Sequence, residues 1–395
     1  MKNKKTDVFD YLEWRGDLLF QQSEFNEIDA LILCICSYVD FSCVKNNDVM
    51  FFKDAAACVD RLPDEIKYNG PPNIEKSVEL VMKAANTERY KNIGIFRFVN
   101  RIDEEKEMQF SAVTFILPDR TAFIAYRGTD NTLIGWKEDF NMSFSEEVPA
   151  QIEAAKYAER IAEEMDMPLR IGGHSKGGNL AIWAGTHLPL EYKSRIIRIY
   201  SNDGPGFSSK FLKSERYREV REKICSFVPD SSIVGVLMEH DKYKTIQSSN
   251  PSIWQHDPFS WLVMGKNFVY DEEGRSASGK QFEKIIDSWL QSMLPKEREE
   301  LVDSIYDILS SSNAKTLDDL DNSKIKSLIS MQKTYKEMGN QKQKQLIGSL
   351  KKVFFKGADK EDDTEGGKEN VEIETKSEEQ KPLGEDEQIH KNLIG

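Results

Sequence analysis

Short apolar runs and amphipathic stretches alternate through roughly the first 290 residues, and the alternation predicts a single α/β domain. Asn26 is a capping residue ahead of Glu-Ile-Asp-Ala-Leu-Ile-Leu and starts a helix. Residues 110–117 and 121–126 are β-like runs separated by Pro118-Asp-Arg, the pattern of a hairpin. Residues 148–165 are rich in Ala and Glu with helical periodicity, 168–173 read as a strand and 179–188 as a helix. Strands follow over 195–201 and 224–228, then a helix over 281–294. Strand-helix-strand order implies a mostly parallel sheet with right-handed crossovers. No internal repeat interrupts it.

The pattern changes after residue 295. Leu301, Ile305, Ile308 and Leu309 recur at helical spacing, as do Leu328, Met331 and Tyr335, in a strongly charged background. Residues 296–355 therefore read as a helical extension whose apolar stripes pack on the main domain or meet a partner. From 356 to 395 there are 13 acidic residues, 6 lysines and no aromatic residue. Such a tail buries too little apolar surface to offset the entropy of ordering, so a disordered acidic tail is expected.

Charge and cysteine usage narrow the class further. The 395 residues carry 54 Lys and Arg against 67 Asp and Glu, a net charge of −13 with no basic stripe, which argues against nucleic acid as the main partner. Five cysteines, Cys34, Cys36, Cys43, Cys58 and Cys225, are odd in number, and four cluster early in apolar surroundings. They read as reduced thiols of a cytoplasmic protein rather than a disulfide framework. The basic start is not followed by an apolar signal core, and the run from Leu31 to Cys36 is too short to span a bilayer. No metal or organic cofactor is implied.

The sharpest chemical feature is Gly173-His174-Ser175-Lys176-Gly177, a G-x-S-x-G pattern between an apolar strand and an Ala-rich helix. That is the context of a nucleophile elbow, where flanking glycines let strand and helix approach and the serine is held in a strained turn. The competing reading is a glycine-rich turn without chemistry. A serine hydroxyl needs a base, and the chain has five histidines. His174 belongs to the elbow itself, His187 ends the following helix and His390 lies in the tail. His256, flanked by Trp254 and Trp261, and His240, in a more charged stretch, remain; the reading favours His256. For the orienting acid, Asp203 in a turn-rich Ser-Asn-Asp-Gly-Pro-Gly and Asp230 after the 224–228 strand both qualify, and Asp230 is favoured. Thr129, in Tyr126-Arg-Gly-Thr-Asp, and the backbone N–H of Lys176 are the candidate oxyanion donors.

With these pieces in place, the chain resembles the class-three (fungal-type) lipases, which carry an F-R-G-T/S loop, a following Trp and a G-H-S-L-G-G elbow; here the matches are Tyr126-Arg-Gly-Thr129, Trp136 and Gly173-His-Ser-Lys-Gly-Gly178. It is still more similar to a bacterial family of uncharacterised α/β-hydrolase-like proteins. The shared stretches are Phe9-Asp-Tyr-Leu-Glu-Trp-Arg-Gly-Asp, Gly135-Trp-Lys-Glu-Asp-Phe-Asn-Met and His256-Asp-Pro-Phe-Ser-Trp, and the likeness covers roughly residues 7–290. The resemblance implies an α/β-hydrolase fold with Ser175 as nucleophile, Thr129 and Lys176 as oxyanion donors, Asp230 as acid and His256 as base. It makes His240 a non-catalytic histidine after the acid loop. Lys176 departs from the lipases' Leu, so its charge is expected to favour an anionic substrate group or to disturb an apolar acyl pocket. The stretch from Trp254 to Met264 is expected either to line that pocket or to serve the core.

The sequence thus predicts an intracellular serine hydrolase that cleaves a carboxylic ester, of a lipid or other acyl compound, through a Ser-His-Asp triad and an acyl-enzyme. The alternatives are a non-catalytic scaffold binding a protein through its C-terminal extension, and an acyltransferase or thioesterase using the same residues. The expected division is a hydrolase domain over 1–295, a helical extension over 296–355 and the acidic tail over 356–395.

Overall fold

A computed structural model describes residues 5–310, apart from 46–47, 72, 131, 144, 233, 278, 281–283 and 285–293. The eight-stranded sheet runs in chain order: β1 (Met50–Phe51), β2 (Gly94–Asp103), β3 (Met108–Ile116), β4 (Ala122–Tyr126), β5 (Leu169–His174), β6 (Ile196–Asn202), β7 (Ile224–Pro229) and β8 (Lys244–Ile246). Strands β1 to β4 pair antiparallel. Strands β4 to β8 pair parallel. The hairpin expected around Pro118 is the β3–β4 pair.

Sheet topology decides where the layers go. Each parallel strand adds one place further along the same direction, so successive right-handed crossovers must all run over one face. Helices α6 (Pro149–Glu164), α7 (Lys176–His187) and α8 (Glu215–Val220) cover that face. The opposite face needs its own cover, and the first ninety residues supply it as α1 (Val8–Arg15), α2 (Glu27–Cys36), α3 (Phe52–Asp60) and α4 (Ile74–Ala85). Strand β4 shows the result: Phe123 and Ala125 enter the α1–α4 core, while Ala122, Ile124 and Tyr126 enter the α6–α8 core. A strand covered on both sides has no solvent face, so its sequence is apolar throughout rather than alternating.

Helix α2 is apolar all round because it is buried all round. Its start is fixed by a reciprocal cap: Asn26 accepts from the amides of Ile28 and Asp29, and Asp29 accepts from the Asn26 amide. Asp29 also pairs with Arg89, both side chains being fully buried, and accepts from the hydroxyls of Tyr11 and Tyr90. These bonds satisfy charges that burial would otherwise penalise by several kcal/mol each. All five cysteines are free, with Cys34 and Cys36 buried in α2.

Helix α5 (Leu133–Asn141) follows β4, and the last described helix, α9 (Pro295–Ser310), packs on it. Lys137 of α5 lies between Glu107 and Asp303 and over the Tyr306 ring, while Leu301 and Val302 are buried. The start of the C-terminal extension therefore packs on the domain. Most of the helix expected over 281–294, the remaining extension and the acidic tail lie outside the described residues. Among the described residues, no helix is long and apolar enough to cross a membrane and no cluster of side chains suits a metal ion.

Candidate active site

The elbow forms where β5 gives way to α7. Ser175 sits at φ 58°, ψ −135°, a conformation disfavoured for a residue with a Cβ. Two glycines make the turn sterically feasible. A Cβ on Gly177 would lie 2.1 Å from the Tyr126 carbonyl oxygen, and one on Gly173 would lie 2.1 Å from the Gly177 carbonyl. The Ser175 amide donates to the Asn202 carbonyl at 3.0 Å, fixing the turn to the end of β6. The α7 N-terminus lies directly after the serine and adds its partial positive charge. Ser175 is half-buried, and its hydroxyl bonds none of the described residues.

The next residue after β6 is Asp203, also at positive φ, 53°. Its amide donates to the Phe227 carbonyl at 2.8 Å. Its carboxylate is fully buried and accepts from His256 Nδ1 at 2.6 Å and from the Ser232 hydroxyl. Gly235 leaves the room for this, since a Cβ there would lie 2.0 Å from Asp203 Oδ1. With Nδ1 donating, the lone pair of His256 is on Nε2, and the ring is 28% exposed.

His174 holds the His256 imidazole from one side. The two rings stack with centroids 4.7 Å apart, and His174 Nε2 donates to the His256 carbonyl at 3.0 Å. The Tyr38 hydroxyl donates to His174 Nδ1 at 3.0 Å. Burial and the neighbouring His256 keep the His174 imidazole well below its ordinary pKa, so it remains neutral with this tautomer.

Asp230 is engaged elsewhere. It accepts from the Ser276 amide at 2.5 Å, the Ser276 hydroxyl at 2.7 Å and the Ser231 hydroxyl at 3.1 Å, while Arg275 donates to its carbonyl. Burial pushes its carboxyl up, but the Ser276 and Ser231 bonds outweigh that and leave it below the usual range. The expected Asp230–His256 pairing is thus corrected to Asp203–His256. The physical reason is position: Asp203 directly follows β6, the immediate neighbour of the elbow strand, whereas Asp230 follows the next strand, β7, and is bonded to Arg275 and Ser276. His240 rests beside Gly206 and Tyr243 with Nε2 enclosed and unpaired, and burial lowers it to about 4.

The loop after β4 passes against the elbow. A Cβ on Gly128 would meet Ser175 Cβ at 2.9 Å and the His174 carbonyl at 2.6 Å. Thr129 comes next, and its hydroxyl donates to Asp139 of α5. The Asp139 carboxyl is pushed up to about 6 by burial, against the lowering effects of Lys176 and the Thr129 bond.

The Lys176 side chain does not face a substrate. It runs inward, fully buried, and its ammonium donates to the Gln109 carbonyl at 2.9 Å, Gln109 Oε1 at 2.7 Å and Glu138 at 2.9 Å. This corrects the expectation that its charge selects an anionic substrate group or disturbs an acyl pocket. The aromatic stretch divides: Trp261 and Phe259 are core residues, while Trp254 is 68% exposed. Asp139, Glu138, Ser232, His174 and Tyr38 had no assigned role in the sequence; Glu138 and Asp139 lie in the shared stretch beginning at Gly135, the one signal that pointed toward them.

A mostly parallel sheet flanked by helices, with a strained serine at the β5–α7 turn and an imidazole–carboxylate pair beside it, defines an α/β-hydrolase fold of the lipase-like kind. The chain belongs to the Mbeg1-like family, whose sequence model matches residues 84–307. Among solved structures it is similar to the Rhizomucor miehei lipase propeptide complex, at 15% identity over 44% of this chain and 70% of that one, with a TM-score of 0.31. It is similar also to M37 lipase, at 14% identity over 52% and 68% with a TM-score of 0.32. Lip2 lipase from Yarrowia lipolytica gives 14% identity over 51% and 78%, with a TM-score of 0.31. Comparison with curated proteins finds none that matches.

Proposed function

We propose that this protein is a cytoplasmic serine hydrolase that cleaves carboxylic esters of lipids or other acyl compounds. The observation that carries the reading is the Asp203–His256 pair at 2.6 Å, set beside a serine held at φ 58° between a strand and a helix N-terminus. Ser175 Oγ attacks the acyl carbonyl as His256 Nε2 takes its proton. Asp203 fixes the imidazole tautomer and stabilises the imidazolium that forms. The backbone N–H groups of Thr129 and Lys176 receive the oxyanion. His256 returns the proton to the leaving alcohol, and water, activated by the same imidazole, releases the acid and regenerates Ser175. The Ser175–His256 hydrogen bond is expected to form in the substrate complex, as catalytic hydrogen bonds often tighten only there.

The test is hydrolysis of a series of p-nitrophenyl acyl esters of increasing chain length by the full chain, alongside S175A and H256A. The reading expects turnover that both substitutions reduce by at least about a thousandfold. Hydrolysis that S175A leaves unchanged refutes it.

A further inference from the structure

We propose that Lys176 is a positioning residue for the oxyanion loop: its buried ammonium holds the Asp139 carboxylate as the acceptor for the Thr129 hydroxyl, and so fixes the Thr129 N–H toward the oxyanion. The inference rests on the hydrolytic reading above and adds a role for a charge that this reading does not use.

A lysine with no exposed side-chain surface is costly unless its charge is matched. Lys176 Nζ is matched by Glu138 Oε2 at 2.9 Å, but a second carboxylate, Asp139, lies on the same helix with Oδ1 at 3.9 Å from the same nitrogen. Two carboxylates therefore share one cation. They are not equally supported. Glu138 also accepts from the Gln109 amide at 3.0 Å and the Ala150 amide at 2.9 Å, two backbone donors that Asp139 lacks. Asp139 accepts only from Thr129 among the described residues, and its Oδ1 is buried without a hydrogen-bond partner.

The groups acting on Asp139 come from every side of the site. Glu138 on its own helix opposes its charge, Lys176 from the elbow helix and His256 from the facing loop favour it, and the Thr129 hydroxyl donates to it. Without the lysine, the pair of carboxylates sheds one charge, and the less supported Asp139 takes up the proton. A protonated Asp139 competes as a donor instead of receiving the Thr129 hydroxyl, and the loop loses its anchor.

The experiment follows the rate at which a fluorophosphonate modifies Ser175 between about pH 5 and 9. It uses the full-length wild type, K176M, D139N and K176M/D139N. An opposite charge at this range holds a carboxyl down by about 1–3 pH units, so K176M is expected to move the rising acid limb up by about one unit or more. Near pH 5 labelling is then about tenfold slower than wild type, and the two converge at high pH. In the D139N background, adding K176M changes the rate by less than about threefold at any pH, because the carboxyl that receives the Thr129 hydroxyl is gone, while Glu138 has no bond to that loop.

A K176M profile that is lowered equally at all pH values, or a shift that persists with D139N, overturns the proposal and leaves the hydrolytic reading standing. Absence of Ser175-dependent labelling in the wild type overturns both. If K176M does not fold, K176M/E138Q against E138Q removes the lone buried charge, and the limb must still move upward.

Discussion

Replacing Asp203 by Asn probes the site most informatively, because the sequence favours Asp230 as the acid with Asp203 as the alternative, whereas the structure pairs Asp203 with His256. The carboxylate is fully buried and accepts from His256 Nδ1 at 2.6 Å. When His256 takes the serine proton it becomes a cation beside that carboxylate. At an effective dielectric constant near 20 and about 4 Å between charge centres, the attraction is about 4 kcal/mol. D203N removes it and also offers an amide that can hold the wrong imidazole tautomer. Loss of the analogous carboxylate charge elsewhere costs about 10⁴-fold in kcat, equivalent to about 5.5 kcal/mol of barrier. The two estimates agree, and we expect kcat to fall by about 10³–10⁴-fold for the best acyl ester, with KM little changed. D230N is the control. Its partners are Ser276 and Ser231, so it lowers the unfolding temperature by a few degrees and changes kcat by less than about threefold. If D203N keeps more than a tenth of wild-type activity while D230N collapses it, the assignment is wrong and the acid lies on the β7 loop.

Three further outcomes follow from the packing. G177A places a Cβ 2.1 Å from the Tyr126 carbonyl, a backbone atom that cannot turn aside, so urea unfolding should show a loss of about 3 kcal/mol or more together with loss of Ser175 labelling. D29A strands the buried Arg89 charge and should cost about 3–5 kcal/mol by the same method, whereas a D29L/R89M pair should recover most of that loss. His240 is held near 4 in the fold against 6.5 unfolded; the unfolded chain therefore binds the extra proton, stability is full above pH 6.5 and falls as pH drops toward 4, and H240F should flatten the pH dependence of the unfolding midpoint over that interval.

What the sequence could reveal depended on whether a signal was local. The β4 and β5 runs, the Ala-rich α6 and the elbow are defined by neighbouring residues, and they lie within a few residues of their expected bounds. Strand β2 was hidden by a bulge between Phe96 and Val99, where Arg97 takes φ 52° and breaks the alternation that marks a strand. The covering role of α1 to α4 follows from the unidirectional strand order, which no local pattern encodes. His256 drew notice as a histidine in an apolar turn, and the structure pairs it with Asp203. Asp203 stood in the sequence as the second choice of acid because its surroundings, Ser201 to Gly206, are turn formers, which gave it a competing turn-forming role. The buried partners of Lys176 were invisible because Gln109 and Glu138 are far apart in sequence and meet only when β3 and α5 pack against the elbow.

The central claim is that Ser175 is a nucleophile activated by the Asp203–His256 pair. Peptide mass mapping of the full-length protein after fluorophosphonate treatment tests it most directly. The account predicts one adduct, on the peptide containing Ser175, absent in S175A and formed at least about a hundredfold more slowly in H256A. An adduct on another residue, or one on Ser175 that forms at the wild-type rate without His256, would contradict it.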